Sequence, residues 1–222
     1  MTLRVEVFPD ADAVSERGAE IVAASAAAAV AERGRFTLAV SGGRTPWVMF
    51  ASLYGRMPWE KVTIFQVDER IAPEGDADRN LVQLQRSLPP GGAIDVRAMP
   101  VWAQDLDAAA AVYAAALPDH LDLVHLGLGP DGHTASLVPG DPVLTTLDRD
   151  VAVTGDYQGR TRMTLTYPAL NRARQILWLV TGEDKLDALR RLREGDQSIP
   201  AAWISTANAL VVADAAAAGS GS

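Results

Sequence analysis

HLGLGPDGHTASL, residues 125–137, is entered by the apolar run Leu121–Leu126, as a strand enters a turn. Gly127-Leu128-Gly129-Pro130-Asp131-Gly132 spells a literal G-x-G-x-x-G. A dinucleotide-binding turn of that pattern opens directly into a helix, and an acidic residue about 20 positions on holds the ribose. Asp148 and Asp150 lie near that distance. Pro130 and Asp131, however, fill the x-x positions, and Pro-Asp-Gly-His is turn chemistry. The glycines therefore read as a sharp turn that brings backbone close to a ligand and presents His133. His133 is then expected at the start of a short helix, HTASLVPG, whose amides favour developing negative charge. A neutral imidazole there suits a general base acting on water. The residues alone leave a packing or capping histidine equally open.

Outward from that turn, β-rich runs alternate with helical patterns. Strands are predicted at 3–7, 36–40, 62–67, 121–126, 150–154, 175–181 and 209–213. Helices are predicted at 11–33, 46–56, 79–88, 105–117, 168–173 and 183–194. VTIFQV and ILWLV are almost continuously apolar, the mark of strands covered on both faces of a mainly parallel sheet. The alternation implies a layered α/β fold. No internal repeat is visible, and Pro89-Pro90-Gly91-Gly92 marks a loop rather than a domain boundary. Residues 1–214 are expected to form one α/β domain, and 215–222, AAAAGSGS, a disordered tail.

In open parallel sheets ligands collect at the carboxyl ends of strands. Four such ends carry chemistry that a core does not need. FTLAV runs into Ser41-Gly42-Gly43-Arg44-Thr45-Pro46. The Gly42 and Gly43 amides there could cradle a phosphate at a helix start; the G-K-[ST] ending of a Walker motif is missing. VTIFQV runs into Asp68-Glu69-Arg70. Arg70 could fork onto phosphate, and Asp68 could orient His133 or a water; a surface salt-bridge cluster is the competing reading. The loop IAPEGDADRN is long enough to cover a site or simply to be solvated. ILWLVTG runs into Glu183-Asp184-Lys185. A lysine at a helix start is unfavourable unless an anion is near, so Lys185 is a phosphate candidate. Arg162, just before MTLTYPAL, is a further one. His120, His125 and His133 lack any metal-ligand spacing, so no metal site is expected.

Bulk properties narrow the class. The 222 residues favour one domain with its own core, and 48% apolar with 22% charged residues is globular composition. Cysteine is absent, which removes disulfide and thiolate chemistry and suits a reducing cytoplasm. A net charge of -8 opposes broad contact with nucleic acid or an anionic membrane. An anionic small substrate then needs a local basic cluster. MTLRVEVFPDADAV lacks the apolar core of a secretory signal, and no apolar run is long enough to span a bilayer.

SGGRTP, VDERIAP with the later Asn80, GLGPDGHTASLVPG, RMTLTYPALN and TGEDK occur in the order found in 6-phosphogluconolactonases. From about Val5 to Val212 the chain resembles that family. Deaminases of the glucosamine-6-phosphate type share the wider fold. They read D-E-Y where this chain has Asp68-Glu69-Arg70, and D-G-H-I-A-F-N-E-P where it has residues 131–139, DGHTASLVP. Arg79 stands where the lactonases usually have Ser, and Val138 where Phe is common. The resemblance implies a Rossmann-like, mainly parallel sheet flanked by helices, with a small additional flank. It implies hydrolysis of 6-phospho-D-glucono-1,5-lactone to 6-phosphogluconate in the oxidative pentose phosphate pathway, in the cytoplasm. It implies a phosphorylated sugar lactone as partner, with no metal, organic cofactor or obligate protein partner. His133 would be the base, Asp68 would orient it or the water, and Gly42, Gly43, Arg70, Lys185 and Arg162 would hold the phosphate. The oxyanion would be met by amides near Gly129–His133 or by a basic side chain. The alternatives are an amino-sugar-phosphate deaminase or isomerase, and a non-catalytic sugar-phosphate sensor. The sensor reading lacks a basic stripe or spare length for an output module.

Overall fold

A computed structural model describes residues 3–90 and 94–219. From the N-terminus the chain forms β1 (Arg4–Phe8), α1 (Ala11–Arg33), β2 (Phe36–Val40), α2 (Arg44–Ser52), β3 (Val62–Gln66), β4 (Asp68–Arg70), α3 (Asn80–Ser87), β5 (Asp95–Arg97) and α4 (Leu106–Ala116). It continues through β6 (Leu123–Leu126), β7 (Val151–Val153), β8 (Arg162–Leu165), α5 (Tyr167–Asn171), β9 (Ile176–Val180), α6 (Leu186–Glu194), β10 (Ala209–Asp214) and α7 (Ala215–Ala218).

Seven strands make one parallel sheet in the order β1-β10-β9-β6-β2-β3-β5. The central strands β2, β6 and β9 are buried at every residue, as their continuous apolar runs require. Alternate residues feed two cores, because successive side chains of a strand point to opposite faces. Leu38, Ile64, Leu123 and Leu177 pack on the α1 and α2 side, with Val22 and Phe50. Ala39, Phe65, Val124 and Trp178 pack on the other, with Tyr113 and Leu189. Truncating one such buried leucine to alanine costs about 2–5 kcal/mol. A second sheet, antiparallel in the order β4-β8-β7, supplies the small flank.

The strand order locates the ligand crevice. From β2 the chain adds β3 and then β5 outward on one side, whereas β6, β9 and β10 build outward on the other. The direction reverses between β2 and β6, and the loops leaving those two strands diverge there to open a crevice. Those loops carry SGGRTP and GLGPDGH.

Local chemistry explains the helix ends. The Asp10 carboxylate accepts from the Ala13 amide at 2.9 Å to cap α1, and Gly34 closes the helix in the left-handed conformation at φ 74°. Several expectations need correction. The strand expected at 150–154 is present as β7 and belongs to the small sheet. The three-residue strands β4 and β5 and the strand β8 were not expected; DER and DVR are too short and polar to show an apolar alternation. The tail is not uniformly disordered, since Asp214 caps α7 by accepting from the Ala217 amide at 2.8 Å. Gly91 and Gly92 of the expected loop, and residues 220–222 of the tail, lie outside the described residues. Among the described residues no helix is long and apolar enough to cross a membrane.

Candidate active site

All seven residues singled out from the sequence line one cleft of about 220 Å³ at the sheet reversal: Gly42, Gly43, Asp68, Arg70, His133, Arg162 and Lys185. They arrive from four strand ends and from the small sheet.

The opening turn holds His133, and its glycines are there for steric reasons. A Cβ on Gly129 would overlap His133 Nδ1 and press on Asp131. Gly132 adopts φ 82° and lies against Ile199. The Gly129 amide donates to the His133 carbonyl at 2.8 Å, and the Gly132 amide to the Gly129 carbonyl at 2.9 Å. The segment is thus a closed turn. The expected helix HTASLVPG is absent; Leu137 N donates to the Thr134 carbonyl at 2.9 Å around Ala135, which sits in the left-handed region at φ 52°. The Gly129, Gly132 and His133 amides are therefore consumed inside the turn, and Pro130 has none to offer. The Asp131 amide has no partner among the described residues, so it is the donor this turn keeps for an oxyanion, beside the basic side chains across the cleft.

His133 Nδ1 meets Asp131 Oδ1 at 2.6 Å, and the His133 amide donates to the same oxygen at 3.1 Å. A carboxylate accepts, so Nδ1 is the donor, and in the neutral ring this tautomer leaves the lone pair on Nε2. The Tyr157 hydroxyl donates to the other oxygen, Asp131 Oδ2, at 3.2 Å. Burial works to raise the Asp131 carboxyl, but the bonds from His133 and Tyr157 outweigh it and leave it below its ordinary value. Asp131 is the residue that orients His133. Asp68 does not touch the ring: its Oδ2 accepts from Ser136 Oγ at 2.6 Å and its Oδ1 from Asn80 Nδ2 at 3.3 Å.

The DER triplet works through strand alternation. Asp68 and Arg70 share the face of β4 that lines the cleft, and Glu69 points the other way and is fully buried. Glu69 accepts from the Asn80 and Leu81 amides at 2.8 Å each, taking the place of an N-cap for α3. Gln66 Nε2 and the Arg70 amide complete its shell, and the buried Arg79 guanidinium stands 3.7 Å away. That anchors Asn80, whose Oδ1 accepts from Arg70 Nη1 at 2.7 Å while its Nδ2 donates to the Asp68 carbonyl at 3.0 Å. Gly42 is required at this point, because a Cβ there would overlap the Asn80 amide group.

At the cationic end, Arg70 and Arg162 are register partners across the β4–β8 pairing. Like charges set directly opposite destabilise a sheet unless an anion lies between them. Burial lowers the Arg162 guanidinium from its ordinary value; Asp68 opposes that and Arg70 adds to it. Gly43, at φ 136°, precedes α2 without a side-chain cap, and neither the Gly42 nor the Gly43 amide has a partner among the described residues. Lys185 ends a short 3-10 turn before α6 and pairs with Asp184 at 2.7 Å. Asp131, Ser136 and Tyr157 were missed from the sequence. Asp131 had a usable signal, a carboxylate two positions before a histidine inside a Pro-Asp-Gly-His turn; Tyr157 and Ser136 had none. Among the described residues no group of three or more His, Asp or Glu side chains is placed to hold a metal ion.

An open parallel sheet with a carboxylate-oriented histidine facing paired arginines at its reversal defines an α/β enzyme acting on a small anionic ligand. Comparisons narrow that class. Residues 9–212 match the family of glucosamine-6-phosphate isomerases/6-phosphogluconolactonase. A 6-phosphogluconolactonase of Synechocystis sp. is 35% identical over 231 aligned positions, covering 95% of each chain. The solved 6-phosphogluconolactonase of Shewanella baltica superposes with a TM-score of 0.85 at 26% identity, over 96% of this chain and 97% of that one. A monomeric glucosamine-6-phosphate deaminase superposes with a TM-score of 0.84 at 19% identity, over 99% of this chain and 100% of that one, so backbone likeness does not separate the two branches. The chain belongs to the 6-phosphogluconolactonase family, within the wider glucosamine-6-phosphate isomerase group.

Proposed function

We propose that the cleft hydrolyses 6-phospho-D-glucono-1,5-lactone by base-assisted attack of water, with roles divided between its two ends. The observation that carries this reading is the 2.6 Å contact of His133 Nδ1 with Asp131, made in the same cleft as the Arg70–Arg162 pair.

The phosphate docks between Arg70 and Arg162, with the Gly42 and Gly43 amides and Lys185 completing its shell. Binding energy at that remote group places the lactone ring for reaction. His133 Nε2 takes a proton from water as the water oxygen bonds to C1 and the carbonyl electrons move onto oxygen. Asp131 stabilises the resulting imidazolium. The oxyanion forms at the His133 end, where the Asp131 amide is a donor free to meet it. On collapse the C1–O5 bond breaks, His133 returns its proton to O5, and the carboxylic acid ionises to solvent. Asp68, held by Ser136 and Asn80, positions Asn80 and with it Arg70. The buried Val138 supports the lactonase branch, because the deaminase motif carries a carboxylate at that position. The cytoplasm is the proposed compartment, on the strength of the cysteine-free sequence.

The test is hydrolysis of 6-phosphogluconolactone generated in situ, measured against its spontaneous loss and against unphosphorylated gluconolactone. Acceleration confined to the phosphorylated lactone is the expected result. Ammonia release from glucosamine 6-phosphate, with no lactone hydrolysis, would replace this reading with the deaminase one.

A further inference from the structure

Tyr157 has no part in the chemistry above, yet it touches both ends of the cleft. Its hydroxyl donates to Asp131 Oδ2 at 3.2 Å, on the carboxylate whose other oxygen holds His133. Its ring stands edge-on to the His133 imidazole, with centroids 5.5 Å apart and planes at 64°. Its face lies under the Arg162 guanidinium, 4.8 Å from ring centre to Cζ. The backbone fixes it there. Tyr157 and Arg160 exchange backbone bonds at 3.1 and 3.3 Å around Gln158 and Gly159, which have φ 56° and 76°, the signature of a two-residue type I′ hairpin turn. Arg160 then ties the hairpin to the 71–79 loop through Asp76 and Asp78, at 3.3 and 3.0 Å.

We propose that Tyr157 is a positioning residue that couples phosphate binding at Arg162 to the Asp131–His133 pair. Arg162 Nε is buried without a hydrogen-bond partner among the described residues, and the guanidinium is seated on Tyr157, over its ring and with Nη2 donating to its carbonyl at 3.5 Å. A phosphate that pins Arg162 pins the ring beneath it, and the ring carries the hydroxyl that fixes Asp131. The occupied phosphate site thereby narrows the range of orientations open to the base. The coupling also gives phosphorylated lactones an advantage in turnover, beyond their advantage in binding.

The charged groups facing this assembly are Asp131 from the opening turn, Asp68 and Arg70 from β4, and Asp156, Arg160 and Arg162 from the hairpin. None of the others donates to Asp131 Oδ2 among the described residues. Removing the Tyr157 hydroxyl alone therefore leaves Asp131 Oδ2 without its donor and frees the carboxylate to turn, so the His133 ring loses its fixed orientation.

The test compares Tyr157→Phe, which keeps the ring, with Tyr157→Ala, which removes it. The His133 ring resonances are followed by NMR as inorganic phosphate is added to each protein, alongside kcat and KM for the phosphorylated lactone. Y157F is expected to lose the phosphate-induced change in the His133 resonances and to lower kcat about three- to tenfold, with KM changed less than about twofold. Y157A is expected to raise KM as well, by about three- to tenfold, because Arg162 loses its stacking surface. A phosphate response of the His133 resonances in Y157F equal to that of the unsubstituted protein overturns the proposal, and so does an unmoved KM in Y157A. The proposal rests on His133 as the base, and His133→Ala assayed beside these variants tests that separately. Full activity in H133A removes the base, whereas an unchanged phosphate response in Y157F removes only the coupling.

Discussion

Two glycine-rich loops leave adjacent parallel strands and face each other across the crevice, and they use glycine for opposite ends. In residues 41–46 the glycines keep backbone amides free at the start of α2 and leave room for Asn80. In residues 127–133 the Gly129, Gly132 and His133 amides are spent within the turn, and the space that Gly129 leaves is filled by the His133 imidazole. One loop offers its backbone to a ligand; the other offers chiefly a side chain. The lesson is that a glycine pattern has no chemical meaning until its amides are accounted for.

The largest expected effect tests the second loop directly. His133→Ala is expected to lower kcat by about 10²–10⁴-fold, the range for loss of a general base, with the unfolding transition nearly unchanged. Steady-state kinetics beside a thermal melt check this.

The glycines come next. Gly129→Ala drives a methyl group into the imidazole and is expected to cost about 100-fold, chiefly in kcat, since the ring can swing away while the fold survives. Gly42→Ala displaces the Asn80 side chain and with it the Arg70 contact, so it is expected to raise KM more than it lowers kcat. If both variants lose kcat alone, the division of labour between the loops is wrong.

Arg162→Met isolates the phosphate end. Charge-assisted hydrogen bonds are worth about 1.5–3 kcal/mol, so KM for the phosphorylated lactone is expected to rise about 10–100-fold. Unphosphorylated gluconolactone, whose hydrolysis the protein is expected not to accelerate, serves as the background control. A KM for the phosphorylated lactone within about twofold of the unsubstituted protein's would take Arg162 out of phosphate recognition.

The smallest effect contrasts two histidines eight positions apart. His133 is held by a carboxylate at the cleft, but His125 lies wholly inside the sheet with both ring nitrogens unpartnered. Burial pushes the His125 imidazole down from 6.5 to about 3. Between those two pH values the unfolded chain takes up a proton that the folded chain refuses, so stability falls as pH drops below 6.5. The loss from this group approaches about 1.4 kcal/mol per pH unit. His125→Leu is expected to flatten that part of the acid slope, read as the difference between urea midpoints of the two proteins from pH 7 to pH 5. Parallel slopes would show that His125 is protonated or solvated in the fold.

Much of the molecule was legible because its signals are local. VTIFQV and ILWLV announce strands covered on both faces, and α1 carries both of its end signals, Asp10 and Gly34. The four strand ends with polar chemistry stand out because each begins where an apolar run stops. The short strands β4 and β5 escaped notice, because three residues, two or all of them charged, become a strand only when a partner strand supplies the hydrogen bonds. DER shows the limit most clearly. Its residues could be picked out as charged, but the opposite fates of Glu69 and its two neighbours depend on which face of β4 meets the cleft.

The sequence by itself determined the layered α/β class, the family and the seven residues that gather at the cleft, because apolar periodicity and turn residues act over a few positions. Only the tertiary structure decided which carboxylate orients His133, which amides remain free, and what Tyr157 touches. Asp68 and Asp131 are equally acidic in the sequence. The β4–β8 pairing turns one toward Ser136 and Asn80, while the closed turn places the other against the imidazole, and such choices rest on contacts between residues far apart in the chain.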